Sequence, residues 1–255
     1  MPKAAGFDPD AQAFITAAAI TDTTQQGAIN TLVVSLKGYS IWTKFKAIYP
    51  VVGGTAAQHK FNLKDPRDLD AAFRLTFATG WTHSSTGMKP LNTYANTFLI
   101  PSTFLSLNST HISYYSRSQE TLSNQIDMGI TSGSNQLYAI FYYNSTFRYT
   151  AVNNSGAVAL ALPNTTGLLI ENRRNSTQTQ SYKSGSLFQT VSVNSIGLAT
   201  NNVYLGAYNN GSGTALSPST KQCAFASIGD GLTDTDAANF YTAVQAYQTT
   251  LSRQV

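Results

Sequence analysis

Carboxyl groups are the first side chains to consider, because hydrolysis of a glycosidic bond uses two of them about 5–9 Å apart. The 255-residue chain has only two glutamates, Glu120 and Glu171, and neither has a second acid two or three residues away. The two glutamates also fall in different parts of the strand pattern, so we do not expect them to face a common cleft. We therefore predict that the chain is not an enzyme.

Aromatic and small polar side chains indicate a different chemistry, the binding of sugars. A ring can cover the apolar C–H face of a sugar while Asn, Ser and Thr side chains hydrogen-bond its hydroxyl groups. The segment 81–87, Trp-Thr-His-Ser-Ser-Thr-Gly, combines these types in a predicted loop. We take Trp81, His83 and Tyr94 as candidate glycan contacts. The alternative for Trp81 is a structural tryptophan in the core or in an interface.

Metal ligation is the third chemistry to weigh. The alternating acids of Asp65–Asp70 could supply the hard oxygen ligands that calcium prefers, but they equally suit a turn and the cap of a short segment. Acids at positions 230, 234 and 236 precede a predicted helix, where they stabilise its exposed amide groups. The histidines are far apart, and no Cys/His spacing resembles a zinc site. We predict no bound metal.

Composition excludes several further classes of function. Charged residues make up 11% of the chain and the net charge is +4, while 26 Ser, 32 Thr and 19 Asn cover much of the surface. Basic residues are spread out, so no nucleic-acid partner is expected. No apolar run reaches the 18 residues that suggest a membrane span. No phosphate-binding loop is present, so no cofactor is expected. Cys223 lies in an apolar run, which predicts a buried, inert thiol.

Residues 1–50 are predicted to form a helical collar. One helix covers Ala11–Ala19, a second begins at Asp22 or Thr23 and ends at Gly38, and a third precedes Pro50. A β-sandwich can bury its own core without these helices, so their apolar side chains need another cover. That cover is either the outside of the sandwich or another chain. We predict an assembly contact made by Ile29, Leu32, Leu36, Trp42, Phe45 and Tyr49.

The pattern changes in residues 51–255 to short apolar runs separated by turns rich in Asn, Gly and Ser. Such spacing predicts a mainly antiparallel β-sandwich or jelly roll. A closing helix, capped by Thr233 or Asp234, should cover one end or edge of the sandwich with a stripe of Phe240, Val244, Tyr247 and Leu251. The predicted strands are Phe73–Phe77, Thr97–Ile100, Ile112–Ser116, Asp127–Ile130, Leu137–Tyr143, Phe147–Val152, Leu168–Arg173, Leu187–Val193, Val203–Tyr208 and Gln222–Ile228.

Three motifs in the second half resemble a LamG-like jelly roll of the concanavalin A type. They are Val-Tyr-Leu-Gly-Ala at 203–207, Cys-Ala-Phe-Ala-Ser-Ile-Gly at 223–229 and Gly-Leu-Thr-Asp-Thr-Asp at 231–236. The whole chain is similar to bacteriophage structural proteins that carry this domain. That second resemblance rests on residues 41–50, 60–66, 80–84 and 241–251.

The resemblance implies a virion location and a non-enzymatic structural role, as a capsid decoration, spike or fibre component. Other virion proteins would then be partners, and a homo-oligomer, with a trimer favoured, follows from how phage spikes and fibres usually assemble. The alternative is a carbohydrate-binding adhesin on the virion surface whose partner is a host glycan. A glycan-degrading enzyme is the second alternative.

Overall fold

The structure is a computed structural model that describes residues 6–119, 124–142, 148–156, 158–160 and 164–255. Two short 3-10 turns occur, at Trp42–Lys44 and Asp70–Ala72. Within the described residues, no helix is both long and apolar enough to cross a lipid bilayer. The helices are α1 (Pro9–Ala17), α2 (Thr23–Gly38), α3 (Ala56–His59), α4 (Pro101–Phe104) and α5 (Asp234–Thr250).

The strands in these described ranges form two sheets and pair almost entirely antiparallel, with one parallel pair. In chain order the strands are β1 (Phe45–Tyr49), β2 (Thr76–Phe77), β3 (Trp81–Ser84), β4 (Gly87–Pro90), β5 (Ala95–Asn96), β6 (Thr110–Ser116), β7 (Gln125–Ile126), β8 (Met128–Ser132), β9 (Asn135–Tyr142), β10 (Arg148–Asn154), β11 (Val158–Leu160), β12 (Gly167–Arg173), β13 (Gln178–Lys183), β14 (Ser186–Ser192), β15 (Tyr204–Leu205), β16 (Tyr208–Asn209), β17 (Ala215–Leu216) and β18 (Cys223–Gly229).

The two sheets and the helices make three layers. The central sheet has the order β14-β13-β12-β6-β18-β4-β3, with β1 also paired to β18. The outer sheet has the order β11-β10-β9-β8-β15-β5-β2, with β7, β16 and β17 attached. Helices α1, α2 and α5 cover the face of the central sheet that points away from the outer sheet. The predicted antiparallel β-sandwich of jelly-roll type is confirmed.

Alternation along β6 shows how one strand serves both layers. Ile112 and Tyr114 point into the core between the sheets, whereas Tyr115 points towards the helices. Successive side chains of a strand lie on opposite faces, so a strand that is covered on both sides must be buried throughout. All seven residues of β6 are buried, and the same is true of β12 and β18.

Local capping signals fix the long helices as the sequence predicts. Asp22 precedes α2 and its side chain accepts a hydrogen bond from the Gln25 amide, at 2.8 Å. Thr233 and Asp236 form a reciprocal capping box at the start of α5. Helix α5 does not close an end or edge of the sandwich as predicted. It covers the broad face of the central sheet, where Phe240 packs near Phe225 with ring centroids 5.8 Å apart.

The predicted third helix of the collar is wrong. After the turn at Trp42–Lys44 the chain extends as β1, which pairs antiparallel with β18. Ala47 and Tyr49 point into the core between the two sheets. Phe45 and Ile48 pack in the core between the central sheet and the helices, which we call the helix-side core. Strand β1 is therefore part of the central sheet, although it lies before residue 50.

The side chains predicted to form an assembly contact are buried by their own chain. Five of the six are 0–2% exposed, because α2 packs on α5 and β1 pairs inside the central sheet. Trp42 is half-buried, packs against the same helix-side core and has the Lys64 ammonium 3.7 Å from its ring centroid. This corrects the expectation that another chain covers the following residues: Ile29, Leu32, Leu36, Phe45 and Tyr49.

Several strand predictions hold and others fail. Strands β6, β8, β9, β10, β12, β14 and β18 overlap predicted runs, although Tyr143 and Phe147 lie outside the described residues. The run Val203–Tyr208 is divided between β15 and β16. Residues 97–100 are not a strand, and of residues 73–77 only the last two are. The predicted loop at 81–87 is wrong, because it is the hairpin of β3 and β4.

Glu171 lies on β12 and is enclosed at 1% exposure. The Ser181 hydroxyl donates a hydrogen bond of 2.5 Å to its Oε2. Burial raises the pKa of the Glu171 carboxyl to about 8, so this group is largely protonated at neutral pH. Glu120, the other glutamate, lies outside the described residues.

The raised pKa of Glu171 predicts a specific loss of stability as the pH rises from about 4.5 to about 8. The unfolded carboxyl ionises near pH 4.5, but the folded one keeps its proton to about pH 8. The stabilising contribution is therefore full below pH 4.5 and is lost as pH rises through about 8. Between pH 5.5 and 7 the free energy of unfolding should fall by about 1.4 kcal/mol per pH unit relative to Glu171→Gln, measured by urea denaturation. Parallel pH profiles for the two proteins would contradict this.

Candidate functional site

Three aromatic rings meet where the edges of the two sheets come together. Phe77 is on β2, the last strand of the outer sheet, and Trp81 and His83 are on β3, the last strand of the central sheet. The Phe77 ring centroid lies 5.3 Å from that of Trp81 and 4.7 Å from that of His83, both edge-to-face. Trp81 and His83 are two residues apart on one strand, so both face Phe77. We call these three half-buried residues the aromatic cluster.

Trp81 is anchored within the fold. Its indole N–H donates a hydrogen bond of 3.0 Å to the Tyr94 carbonyl oxygen. Its ring lies against Gly206, where an added Cβ would come 2.8 Å from a ring carbon and where φ is +81°. Glycine at 206 thus allows both the backbone turn and the close approach of the indole. The polar atom of Trp81 is already used, so only its ring surface is available to a ligand.

Of the predicted sugar contacts, the rings of Trp81 and His83 are brought together, whereas the ring of Tyr94 is not part of their cluster. The Tyr94 ring stacks on the Tyr204 ring, with centroids 4.3 Å apart and planes 19° apart. The Tyr204 hydroxyl donates a hydrogen bond of 2.9 Å to the Gly213 carbonyl oxygen. Tyr94 therefore belongs to a second aromatic pair, beside the turn between β16 and β17.

His83 of the aromatic cluster is paired with a buried histidine, His59. His59 ends α3, is 1% exposed, and its Nδ1 lies 3.0 Å from the Nδ1 of His83. The Gly54 amide donates to His59 Nε2 at 3.2 Å. His59 must therefore carry its proton on Nδ1 and donate it to His83, an assignment made from the hydrogen-bond network. Neutral His83 then carries its proton on Nε2.

Both histidines of this pair are held in the neutral form. Burial, with a smaller effect from the neighbouring His83, lowers the pKa of His59 to about 3, and burial lowers the pKa of His83. A proton added to His83 Nδ1 would face the Nδ1–H of His59, and a proton added to His59 Nε2 would face the Gly54 amide, so either would place two donors against each other. The aromatic cluster is therefore uncharged at neutral pH.

An open pocket of about 360 Å³ adjoins the aromatic cluster through Phe77. Its volume is within the range of small-molecule sites. Leu75 and Phe77 supply apolar surface. Lys60 and Arg74 supply two cations, and we call the polar part of the lining that they form with Thr76 the rim. The lining residues are Ala56, Ala57, Lys60, Arg74, Leu75, Thr76 and Phe77.

The rim of this pocket is electrically balanced. Lys60 pairs with Asp68 at 2.5 Å, and Arg74 pairs with Asp68 at 2.7 Å and with Asp70 at 2.9 Å. Hydrogen bonds from Lys60 and Arg74 lower the pKa of Asp68. Two of the acids weighed above as calcium ligands, Asp68 and Asp70, thus hold the basic side chains of the rim, whereas Asp65 pairs with Arg67.

A second pocket, of about 350 Å³, lies beside Trp42 and is also lined by Lys37, Ser40 and Thr43. The Lys64 ammonium lies 3.7 Å from the Trp42 ring centroid and donates a hydrogen bond of 2.9 Å to the Trp42 carbonyl oxygen. One face of the Trp42 ring is therefore already occupied by a cation.

The third histidine and the cysteine are enclosed. His111 is fully buried, with its Nδ1 2.6 Å from the Asp230 carbonyl oxygen, and burial lowers its pKa to about 4. Cys223 is 0% exposed, and burial raises the pKa of its thiol to about 12, so the predicted buried thiol is confirmed. Neither group faces the pocket beside Phe77.

Sequence reasoning missed Phe77, His59, Lys60 and Arg74. Only residue type singled out Trp81 and His83, and no spacing links residues 59 and 60 to residues 74–83. Strands β2 and β3 end different sheets, and residues 59 and 60 contact both regions: the Leu75 amide donates to the Lys60 carbonyl oxygen at 2.7 Å, and His59 contacts His83. That arrangement is non-local and carries no local sequence signal.

No protein-family model matches the chain. No curated protein matches it either. Solved structures do share its fold. Domain 4 of AbnA, a GH43 extracellular arabinanase from Geobacillus stearothermophilus solved in complex with arabinotriose, is 13% identical with a TM-score of 0.53, over 77% of this chain and 98% of that domain.

Two larger proteins also contain a similar fold. Trypanosoma rangeli sialidase in complex with sialic acid is 9% identical with a TM-score of 0.53, over 84% of this chain and 38% of the sialidase. The binding domain of Botulinum neurotoxin DC in complex with rat synaptotagmin II is 11% identical with a TM-score of 0.54, over 80% of this chain and 53% of that domain. The chain thus spans well under two thirds of both proteins, and these similarities concern the fold alone.

The neutral histidines predict a loss of stability in mild acid. The unfolded His59 titrates near pH 6.5 and the folded one near pH 3, so its stabilising contribution is full above 6.5 and is lost as pH falls. Between pH 6.5 and 5 the free energy of unfolding should fall more steeply in the wild type than in His59→Gln, by up to about 1.4 kcal/mol per pH unit. Urea titrations at several pH values measure this, and equal slopes would show that His59 is not held neutral.

Proposed function

We propose that this chain binds carbohydrate without hydrolysing it, through the aromatic cluster and the adjoining pocket. The observation that carries the proposal is the position of Phe77, whose half-buried ring belongs to both. A sugar could place its apolar face on these rings while its hydroxyl groups reach the polar rim at Thr76 and Arg74. This proposal corresponds to the first alternative that the sequence offers, a carbohydrate-binding adhesin, and not to a purely structural role.

The fold similarities support this proposal at the level of architecture. The arabinanase domain was solved with arabinotriose, and it matches this chain over nearly its whole length. The T. rangeli sialidase was solved with sialic acid, although this chain corresponds to less than half of it. A sandwich of this type is therefore compatible with a saccharide ligand.

The rim charges favour a neutral saccharide. Lys60 and Arg74 are each already paired with an aspartate, so an acidic sugar would have to displace an existing ion pair. A neutral sugar has no such requirement, because its hydroxyl groups can donate to Asp68 or Asp70 and accept from the cations. We therefore propose neutral oligosaccharides as the ligand class.

Binding without hydrolysis is supported by the position of Glu171. Glu171 lies on β12, and its carboxyl is enclosed in the protein at 1% exposure and faces no open groove. The aspartates at the rim pair with basic side chains, whereas a catalytic acid needs a raised pKa to hold its proton. Incubation of the protein with a bound oligosaccharide should return the oligosaccharide intact in product analysis.

The virion setting is proposed on the sequence resemblance alone. Residues 41–50 and 241–251, which contribute to that resemblance, lie in the central sheet and the helix layer. With a virion location, the saccharide would be a host-surface glycan and the protein an attachment component in a homo-oligomer. Mass spectrometry of purified phage particles tests the location, and absence of the chain from particles that encode it would exclude this setting.

Replacement of Phe77 by leucine tests the site most directly. The full chain is screened on an array of neutral and sialylated oligosaccharides, and the strongest neutral ligand is titrated calorimetrically. Phe77→Leu keeps apolar volume but loses the ring, and Arg74→Met keeps the aliphatic stem but loses the rim cation. Each should weaken binding about tenfold, or about 1.4 kcal/mol.

Tyr39→Leu is the matched control, because Tyr39 is a 38% exposed aromatic residue in the helix layer. Its replacement should leave the affinity unchanged. The proposal fails if Phe77→Leu and Arg74→Met bind as tightly as the wild type. It also fails if only sialylated glycans bind.

A further inference from the structure

A lysine and an aspartate are enclosed together between the two sheets. Asp127 separates β7 and β8 of the outer sheet, and Lys221 lies two residues before β18 of the central sheet. Each side chain is 1% exposed, and Lys221 Nζ contacts Asp127 Oδ2. The pair therefore connects the two sheets from within.

The surroundings of this pair disfavour separated charges. The Tyr114 ring centroid lies 5.9 Å from Lys221 Nζ, and Cys223, which is fully buried, is two residues away in the chain. Removal of two charges from water carries a large desolvation cost that their attraction only partly offsets. A buried ammonium and carboxylate in contact can lower that cost by passing one proton from nitrogen to oxygen, which leaves an amine and a carboxylic acid.

The Ser219 hydroxyl completes the arrangement. It donates a hydrogen bond of 2.9 Å to Asp127 Oδ1, the carboxyl oxygen that does not face the lysine. In the neutral acid, Oδ1 is then the carbonyl oxygen and Oδ2 carries the proton. A donor at the carbonyl oxygen stabilises the negative charge that develops there when a nucleophile adds to the carbon.

We propose that Lys221 and Asp127 condense to an intramolecular isopeptide bond. The proton of the ammonium first moves to Oδ2, and the free amine then adds through Nζ to Cγ. The nitrogen gives up a proton to the Oδ2 hydroxyl, the Cγ–Oδ2 bond breaks and one water leaves. The Nζ–Cγ amide forms with no oxidant, reductant or other reactant, and Ser219 acts as a positioning residue through its hydrogen bond to Oδ1.

The bond would tie the outer sheet to the central sheet across the interval from residue 127 to residue 221. A covalent link of this kind reduces the freedom of the unfolded chain, as a disulfide does, and the effect grows with the length of the closed loop. It needs no oxidising compartment, since no electrons are transferred. This property is independent of the proposed glycan binding.

Mass spectrometry of the folded full chain under denaturing conditions tests the proposal, because an ion pair does not survive denaturation. The wild type should be lighter than its sequence mass by one water molecule. Trypsin should release peptide 118–148 joined to peptide 184–253, since a linked Lys221 is no longer a cleavage site. Lys221→Arg keeps the positive charge without the amine and should show its full sequence mass.

The double variant Asp127→Leu/Lys221→Met removes both charges together, so it leaves no buried charge unpaired if Lys221→Arg does not fold. It should also show its full mass and should unfold at a lower temperature than the wild type. In Ser219→Ala the loss of water after synthesis should be slower, so more of the freshly made protein should keep its full mass. A wild type that keeps its full mass, with separate peptides 118–148 and 184–221, overturns the proposal and leaves a buried ion pair only.

Discussion

Strands β6, β12 and β18 lie between the helix layer and the outer sheet, and every one of their residues is buried. Polar side chains on these strands must therefore find partners inside the protein. Arg173 does so by donating to the carbonyl oxygens of Val152, at 2.6 Å, and Val193, at 3.1 Å. Because the central sheet is covered on both faces, its polar side chains have to be paired with neighbouring parts of the same fold.

Arg253 shows how the layers are joined near the end of the chain. It is 1% exposed and donates to the carbonyl oxygens of Pro50, after β1, and Ala224, on β18, at 2.8 and 3.0 Å. Burial lowers the pKa of this guanidinium. These contacts and α5 cover the face of the central sheet that points towards the helices, so that face is closed to a ligand. The proposed saccharide site lies elsewhere, at the meeting edges of β2 and β3.

Features fixed by neighbouring residues, such as helix starts, could be predicted from the sequence. Features fixed by contacts between distant residues could not. Asp22 and Thr233 cap their helices through neighbouring amides, so both helix starts were predictable. Residues 41–49 misled the prediction because Ile41, Phe45 and Ile48 have helical spacing, yet β1 is determined by pairing with a strand about 180 residues away. The same limit applies to the site. Residue type identified Trp81, but the pocket beside Phe77 depends on residues 56–60 packing against residues 74–77, where the Leu75 amide donates to the Lys60 carbonyl oxygen at 2.7 Å.

Hydrogen–deuterium exchange with and without a neutral oligosaccharide tests the central claim, that the covered central sheet is the stable core of the fold and that the proposed saccharide site lies at the meeting sheet edges. In the free protein, amides of β6, β12 and β18 should exchange most slowly, because helices and the outer sheet shield both faces. The oligosaccharide should add protection in residues 54–60 and 74–84. Protection confined to β9 and β10 of the outer sheet, or fast exchange in β12, would contradict the account.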